Sequence, residues 1–353
     1  MNRWLMAIAA LAVGGFGYAV LGAAPARRFT LSPGPEIDFS GLPAAVVVSD
    51  PARGEITIEL PPVDVSSDHH ASQPPVAVAE LPVTGSIFGF RTEVVDSAGR
   101  LLPAELIHHF NILDPTAREL FLPIARRLAA SGRETGAVRL PKLLVGAPVH
   151  TGQRVVASAM LHNPTGTAYR GVRVRMILSY VPATRPWPLF AASPWQLDVA
   201  FPVGDKTFDL PPGRSERAYE GSPAIPGDLV VIGGHLHEYG VRIELWDVTE
   251  GTLLWRGEPK RQGDAIPIGK LYGLTRLGTH ITPGHRYRVQ VFYDNPTGRT
   301  IPNGGMGVVA GLFVPDRGTV WPTADPADSL YRADLRHYLR VETLPPPHTH
   351  AHP

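Results

Sequence analysis

Turn-forming residues divide this chain into short segments and limit what it can fold into. The 353 residues include 36 glycines and 37 prolines, about a fifth of the chain, which favours many short strands over long helices. Between the turns, apolar and polar residues alternate as they do in half-buried strands. Such stretches are residues 86–96, 106–113, 154–161, 172–181, 195–201, 229–247, 252–257, 287–293 and 306–314. The pattern predicts a mostly β protein made of β-sandwiches.

Two segments have helix signals instead. In "DPTARELFLPIARRLAASG", residues 114–132, Asp114 can cap a helix, Pro115 suits its first position and Gly132 follows its end. Pro123 in the middle should kink or split this helix. A second helix is predicted near the C-terminus, in "DPADSLYRADLRHYLRVE".

The N-terminal 28 residues have the composition of a targeting segment. Arg3 precedes an uncharged stretch from Trp4 to Ala26, and Arg27 and Arg28 follow it. The stretch ends in Ala-Pro-Ala, which has the pattern of a cleavage site, and it is also long enough for a membrane-spanning helix. We therefore expect residues 1–28 to be a signal peptide or a membrane anchor. Either would place the body on the periplasmic or extracellular side, secreted or anchored by this helix.

The remaining chain divides into a linker, two domains and a tail. Residues 29–81 are rich in Pro, Ser and Asp and predict a linker, in which 44–50 and 54–60 could form strands that pack on the body. Beyond it, "ASAMLHNPTGTAYRGVRVRMILSYVP" and "VQVFYDNPTGRTIPNGGMGVVAGLFVP" share the order strand, Asn-Pro-Thr-Gly turn, loop, strand, Val-Pro. This internal repeat predicts two domains of one fold in tandem, each with its own core. We place them at residues 82–205 and 206–320, followed by a C-terminal helix and His-rich tail at 321–353.

Composition excludes several functions. The formal net charge of +1 argues against nucleic acid as a partner, because phosphate binding usually needs a basic surface. The chain has no cysteine, which excludes disulfides, thiol catalysis and thiolate metal ligands. No phosphate-binding loop, dinucleotide fingerprint or Ser–His–Asp constellation is present.

The 14 histidines are the main candidates for chemistry. His235 and His237 lie two residues apart in a predicted strand, so both imidazoles point to one face. His108 and His109 are adjacent, and they can share a metal only if the backbone bends, for example at a bulge. Taken alone, each group has a plainer interpretation as ordinary core or surface residues.

The remaining histidines and one methionine are weaker candidates for metal ligands. His162 ends a strand before the first Asn-Pro-Thr-Gly turn, and Met306 follows the second such turn, where its thioether could fill core space or bind a soft metal. The tail "HTHAHP" could collect metal nonspecifically. The other histidines, His69, His70, His150, His280, His285 and His337, carry no spacing signal.

The order of these residues resembles that in the copper type II, ascorbate-dependent monooxygenases, the family of the peptidylglycine alpha-hydroxylating and dopamine beta-monooxygenases. The resemblance covers roughly residues 82–316 and is strongest over "FDLPPGRS" to "IPGDLVVIGGHLHEYGVRIEL". It implies two tandem jelly-roll-like sandwiches with one copper in each. The matching positions are His108, His109 and His162 for the electron-transfer copper, and His235, His237 and Met306 for the oxygen-binding copper.

The departures from that family concern the substrate. The family's disulfides are missing, and its substrate-binding arginine and its polar and tyrosine contacts fall at Gly233, Val308 and Ala310. A peptide carboxylate would therefore have no clamp. We do not expect this chain to amidate peptides, and we expect its substrate pocket to be more apolar or absent.

Two functions follow from the resemblance. The first is an extracytoplasmic copper protein that hydroxylates a C–H bond of a small, fairly apolar substrate, with oxygen and an ascorbate-like reductant. The alternative is a noncatalytic copper-binding or structural subunit of a membrane-associated complex. Imidazole and thioether ligands together accommodate both Cu(I) and Cu(II). Glu238 and Tyr239 follow the histidine pair and either support the ligands or only face water.

Overall fold

The structure is a computed structural model that describes residues 29–31, 34–67, 71–132, 136–185, 188–201, 206–259, 265–266 and 278–339. The predicted signal peptide or anchor at 1–28, His69, His70 and the His-rich end of the tail lie outside the described residues. Among the helices of the described ranges, none has the length and apolar character to cross a bilayer.

The first half of the chain forms strands β1 to β14. They are β1 (Thr30–Leu31), β2 (Val46–Asp50), β3 (Glu55–Glu59), β4 (Val63–Val65), β5 (Ala71–Ser72), β6 (Ala77–Glu80), β7 (Gly85–Val95), β8 (Ile107–Arg118), β9 (Ala125–Gly132), β10 (Val138–Arg139), β11 (Val145–Val149), β12 (Arg154–His162), β13 (Tyr169–Pro182) and β14 (Phe190–Ala191). One 3-10 turn, Ala104–Leu106, precedes β8.

The second half forms strands β15 to β26 and one α-helix. They are β15 (Ser193–Asp198), β16 (Phe208–Leu210), β17 (Gly213–Gly221), β18 (Gly227–Leu236), β19 (Gly240–Asp247), β20 (Thr252–Gly257), β21 (Ala265–Ile266), β22 (Thr279–Ile281), β23 (Tyr287–Asn295), β24 (Ile301–Gly305), β25 (Gly307–Pro315), β26 (Val320–Trp321) and α1 (Ser329–Leu339).

The strands build two sandwiches with the same strand order. In the first sandwich, a sheet containing β3-β13-β7-β11 lies against one containing β6-β12-β8-β9. In the second sandwich, β15-β25-β18-β22 lies against β17-β23-β19-β20. Taken along the chain, the eight strands of each set follow the jelly-roll order of two four-stranded sheets. The prediction of a mostly β, sandwich-type protein is confirmed.

The two Asn-Pro-Thr-Gly turns have the same internal bonding. Asn163 and Asn295 are fully buried. Each donates its side-chain amide to a carbonyl four residues on, at Thr167 and Arg299 respectively. Each side-chain carbonyl accepts the backbone N–H of the threonine two residues on. The repeated sequence therefore marks the same turn, between the same two strands, in both sandwiches.

The domain limits differ from the predicted ones. Residues 46–80, predicted as a linker with strand-like patches, supply β2 to β6, and β3 pairs with β13 along its full length. The segment is thus part of the first sandwich, because its alternating apolar side chains Ile56 and Ile58 are fully buried in that core. The chain enters the second sandwich at Ser193, where β15 pairs with β25, before the predicted limit at 205–206.

The prediction of a helix at residues 114–132 is wrong. The segment forms the end of β8, a loop and all of β9, which pair antiparallel. Charged as well as apolar side chains of this run are buried, and a short run buried on all sides can be a helix or a strand, which periodicity alone does not separate. Asp114 is not a helix cap. Its buried carboxylate instead accepts hydrogen bonds from Arg126 at 2.8 Å and Gln153 at 3.0 Å.

The loop between β8 and β9 joins the two sandwiches. Its residues Leu120, Phe121, Leu122 and Ile124 are buried within the core cluster of the second sandwich. The Phe121 ring lies 5.6 Å from that of Trp195 on β15. The second core is therefore completed by residues of the first sandwich, which differs from the expectation that each domain buries its own core.

The C-terminal helix is confirmed. Helix α1 packs on the outer face of β8 and β12, with Tyr331 and Leu335 buried against Leu113 and Val156. Asp334 on the helix accepts both terminal nitrogens of Arg127, at 3.0 and 2.7 Å. The helix thus covers one end of the face whose other end carries His109 and His162.

Candidate metal centres

The second-sandwich centre comprises His235, His237 and Met306, which strand register brings side by side. On the antiparallel strands β18 and β25, His235 lies opposite Val308 and Leu236 lies opposite Gly307. His237 and Met306 are the next residues beyond this last pair, and one further step in the register would set them opposite each other. Residues directly opposite in an antiparallel pair share a face. Leu236 and Val309, which are fully buried, point into the core, so the two imidazoles and the thioether lie on the outer face.

A tyrosine holds the backbone of this centre. The hydroxyl of Tyr293, on β23, accepts the backbone N–H of His237 at 3.1 Å and that of Met306 at 3.0 Å, and it donates to the Met306 carbonyl. Tyr293 is only 2% exposed, so few alternative partners reach its hydroxyl. The backbones of His237 and Met306 are thus held by one buried hydroxyl beyond the end of the β-ladder.

The residues on either side of Met306 are glycines because other side chains pack against the backbone there. A Cβ on Gly305 would lie 2.2 Å from the Phe208 ring, and one on Gly307 would lie 2.3 Å from the Val291 side chain. The motif "GGMG" therefore leaves the methionine as the one long side chain between the end of β24 and the start of β25.

The histidine pair has the predicted shared face. The imidazole rings of His235 and His237 lie 5.4 Å apart, nearly perpendicular to each other, and both residues are half-buried. Glu238 and Tyr239 form the turn that follows. Glu238 is exposed, whereas Tyr239 packs against the core and adopts φ 68°, which is unusual for a residue with a side chain.

The first-sandwich centre comprises His108, His109 and His162, at the adjoining ends of β8 and β12. Met160 pairs with His109 and Leu161 pairs with Ile107, so His108 is the extra residue of a bulge. This is the bend that adjacent histidines need in order to lie together, and their rings are 5.3 Å apart. His162 lies two residues beyond Met160 and shares its face.

The two centres differ in whether their candidate ligand side chains point toward a common point. Across the described ranges, no three His, Asp or Glu side chains stand in an arrangement that holds a metal ion. The three histidines of the first-sandwich centre therefore share a corner of the sheet but do not converge as placed. The second-sandwich centre has only two such residues, and its third donor is a thioether.

Sequence reasoning did not find Tyr293, Met160 or Asp198. Asp198 on β15 lies opposite Val308 and is therefore on the same outer face as His235. It is 1% exposed, and burial raises its pKa to about 6, although the Ala200 N–H and the charges of Lys206 and Arg217 act in the opposite direction. Met160 could have been found by counting back two residues along the strand from His162. Tyr293 carried no signal.

Comparisons with known proteins do not identify a family. The sequence matches no protein-family model and no curated protein. Among solved structures, a chain of Sulfolobus turreted icosahedral virus is 11% identical over 80% of this chain and 92% of its own, with a TM-score of 0.34. A chain of a subviral particle of infectious bursal disease virus is 11% identical over 85% of this chain and 78% of its own, with a TM-score of 0.23. A conserved protein of unknown function from Pseudomonas aeruginosa PAO1 is 9% identical over 76% of this chain and 97% of its own, with a TM-score of 0.20. At these scores the likenesses point to no particular function.

Proposed function

We propose that this chain is an extracytoplasmic copper protein of the type II monooxygenase kind, with one copper held in each sandwich. The observation that carries the proposal is that the β18–β25 ladder ends at Leu236 opposite Gly307, and that the next residues, His237 and Met306, both donate their backbone N–H to the Tyr293 hydroxyl. Two imidazoles and a thioether form a donor set that suits copper in both oxidation states. The targeting segment at 1–28 would carry the body out of the cytoplasm, either released or anchored.

The chain's own residues supply the positions, the rigidity and the surroundings. His235, His237 and Met306 would hold one copper, and Tyr293 would keep the last two at fixed spacing. Copper, when bound, would supply one-electron redox chemistry and oxygen activation for the hydroxylation of a C–H bond. His108, His109 and His162 would hold the other copper once their side chains rotate, since His162 is a diagonal cross-strand neighbour of His109 and such positions, about 7–8 Å apart, are within reach of aromatic side chains.

The surroundings of the second-sandwich centre favour an apolar substrate. Val308 stands directly opposite His235, and Ala310 stands opposite Gly233 on the same face. Further along this face, Val231, Leu312 and Val314 pack against Val145 of the first sandwich. The β18 and β25 positions between the imidazoles and this apolar contact are uncharged, and the carboxyl of Asp198 on the neighbouring β15, opposite Val308, is 1% exposed. A small, fairly apolar molecule fits such a surface better than a peptide carboxylate does.

Metal analysis of untagged protein tests the proposal. Reconstituted wild type should hold about two coppers, and His235→Ala should hold about one. Ascorbate-driven oxygen consumption should be present in wild type and absent in His235→Ala, with His280→Ala, an exposed histidine bonded to Asp228, as the matched control. Wild type without copper would overturn the proposal. Two coppers without oxygen consumption would leave the noncatalytic copper-binding subunit as the function.

A further inference from the structure

Met160 lies on the outer face of the first sandwich, beside the histidines. It is paired with His109 across β8 and β12, and His162 is the next residue on its own face. The intervening Leu161 and the neighbouring Phe110 are fully buried in the first core. Met160 and His162, both half-buried, therefore project from the opposite side of the sheet.

A methionine at this position is not explained by core packing. Met176 on β13 is the comparison, since it is 0% exposed and belongs to the core of the first sandwich. Met160 belongs to no such cluster, and the outward-facing residues next to it on β8 and β12 are His109, Asn111 and Ser158. Apolar residues of this face, Val76 and Val78, lie in the cluster under helix α1, so Met160 stands at the polar end of the face, opposite an imidazole, where a soft metal ligand would be placed.

We propose that Met160 is a copper ligand of the first-sandwich centre, together with His109, His162 and, through the bulge, His108. The inference rests on the proposed function, because it names a fourth donor for one of the two coppers. Both centres then combine imidazole with thioether ligands. The thioether favours Cu(I) over Cu(II), so the first-sandwich copper would be more easily kept reduced than a copper with imidazole ligands alone.

X-ray absorption of the copper-loaded full chain tests this ligand. In a His235→Ala/Met306→Leu background, which removes two donors of the second-sandwich centre, the remaining copper should show a sulfur neighbour. Met160→Leu in that background should lose the sulfur signal and weaken Cu(I) binding in competition with a Cu(I) chelator. Met176→Leu in the same background should keep both the sulfur signal and the Cu(I) affinity. These swaps nearly conserve volume and cost at most about 1.5 kcal/mol, and circular dichroism checks that each variant folds.

The possible results separate the two proposals. Sulfur that disappears only with Met160→Leu supports the ligand. Copper bound by nitrogen alone overturns Met160 and leaves the copper protein intact. A sulfur signal that survives Met160→Leu also overturns it, because the chain has 5 methionines and the sulfur would come from another. If the His235→Ala/Met306→Leu variant binds no copper and wild type binds one copper or none, both the Met160 ligand and the proposed function are overturned.

Discussion

At the scale of single residues, the Tyr293 hydroxyl links the two strands of the second-sandwich centre. It bonds to the backbone of His237 and of Met306. Tyr293→Phe removes these bonds and leaves two half-buried N–H groups without that acceptor. We expect a loss of about 1–3 kcal/mol in the free energy of unfolding. On the proposed function, copper binding at this centre should also weaken by about tenfold or more.

Chemical denaturation and copper titration measure the two effects of Tyr293→Phe. Tyr287→Phe is the matched control, because Tyr287 is another buried tyrosine of β23 whose hydroxyl accepts a backbone N–H, that of Thr282, but lies away from the ligands. The control should lose stability and keep copper affinity. Equal copper affinity in both variants would show that Tyr293 does not position the ligands.

Asp198 gives a pH-dependent prediction. Its folded-state pKa of about 6 lies above the ordinary value of 3.8, so the folded state binds this proton more tightly than the unfolded state does. The stabilisation from that proton is present below about pH 4 and is lost as the pH rises through 6. Asp198→Asn lacks the buried charge, and its stability advantage over wild type should grow to at most about 3 kcal/mol above pH 6.

Urea unfolding of both proteins across this pH range measures the Asp198 effect. The asparagine oxygen can still accept the Ala200 N–H that Asp198 accepts at 2.8 Å, so the packing is conserved. A difference between the two proteins that does not change with pH would contradict the raised pKa.

At the scale of elements, β9 and α1 depend on one buried ion pair. The side chains of Arg127 and Asp334 are 7% and 1% exposed, and they meet at 2.7 Å. Asp334→Leu would leave the guanidinium buried without its main partner, and breaking such pairs costs about 3–5 kcal/mol. The exposed pair Arg53–Asp50, 3.7 Å apart, is the control, and Arg53→Leu should change stability by less than about 1 kcal/mol. Thermal denaturation compares them, and equal losses would contradict the prediction.

The same element shows where local sequence signals fail. The Asp-Pro start and the glycine end of residues 114–132 predicted a helix, but the segment pairs as strands because both of its faces are covered. In β9, Ala125 is buried in the cluster formed with helix α1, and Leu128 and Ala129 are buried in the core of the first sandwich. Neither covering surface is close in sequence, so no window of the chain reveals it.

At the scale of the whole molecule, Phe121 should make the two sandwiches unfold together. It belongs to a loop of the first sandwich and packs against Trp195 and Tyr287 of the second. Phe121→Ala should cost about 3–5 kcal/mol and separate one calorimetric transition into two, with the second sandwich melting first. Leu101→Ala, at a loop residue 70% exposed, should leave a single transition. A single transition for Phe121→Ala would show that the sandwiches are coupled elsewhere.

The sequence by itself determined the mostly β class, the repeated Asn-Pro-Thr-Gly turn, the final helix and the shared face of His235 and His237. Each of these depends on alternation or turn chemistry within a few residues. Only the tertiary structure decided the bulge at His108, the register between β18 and β25, and the neighbours Met160 and Tyr293. These depend on pairing between strands that are distant in the chain, where a shift of one residue moves every side chain to the other face.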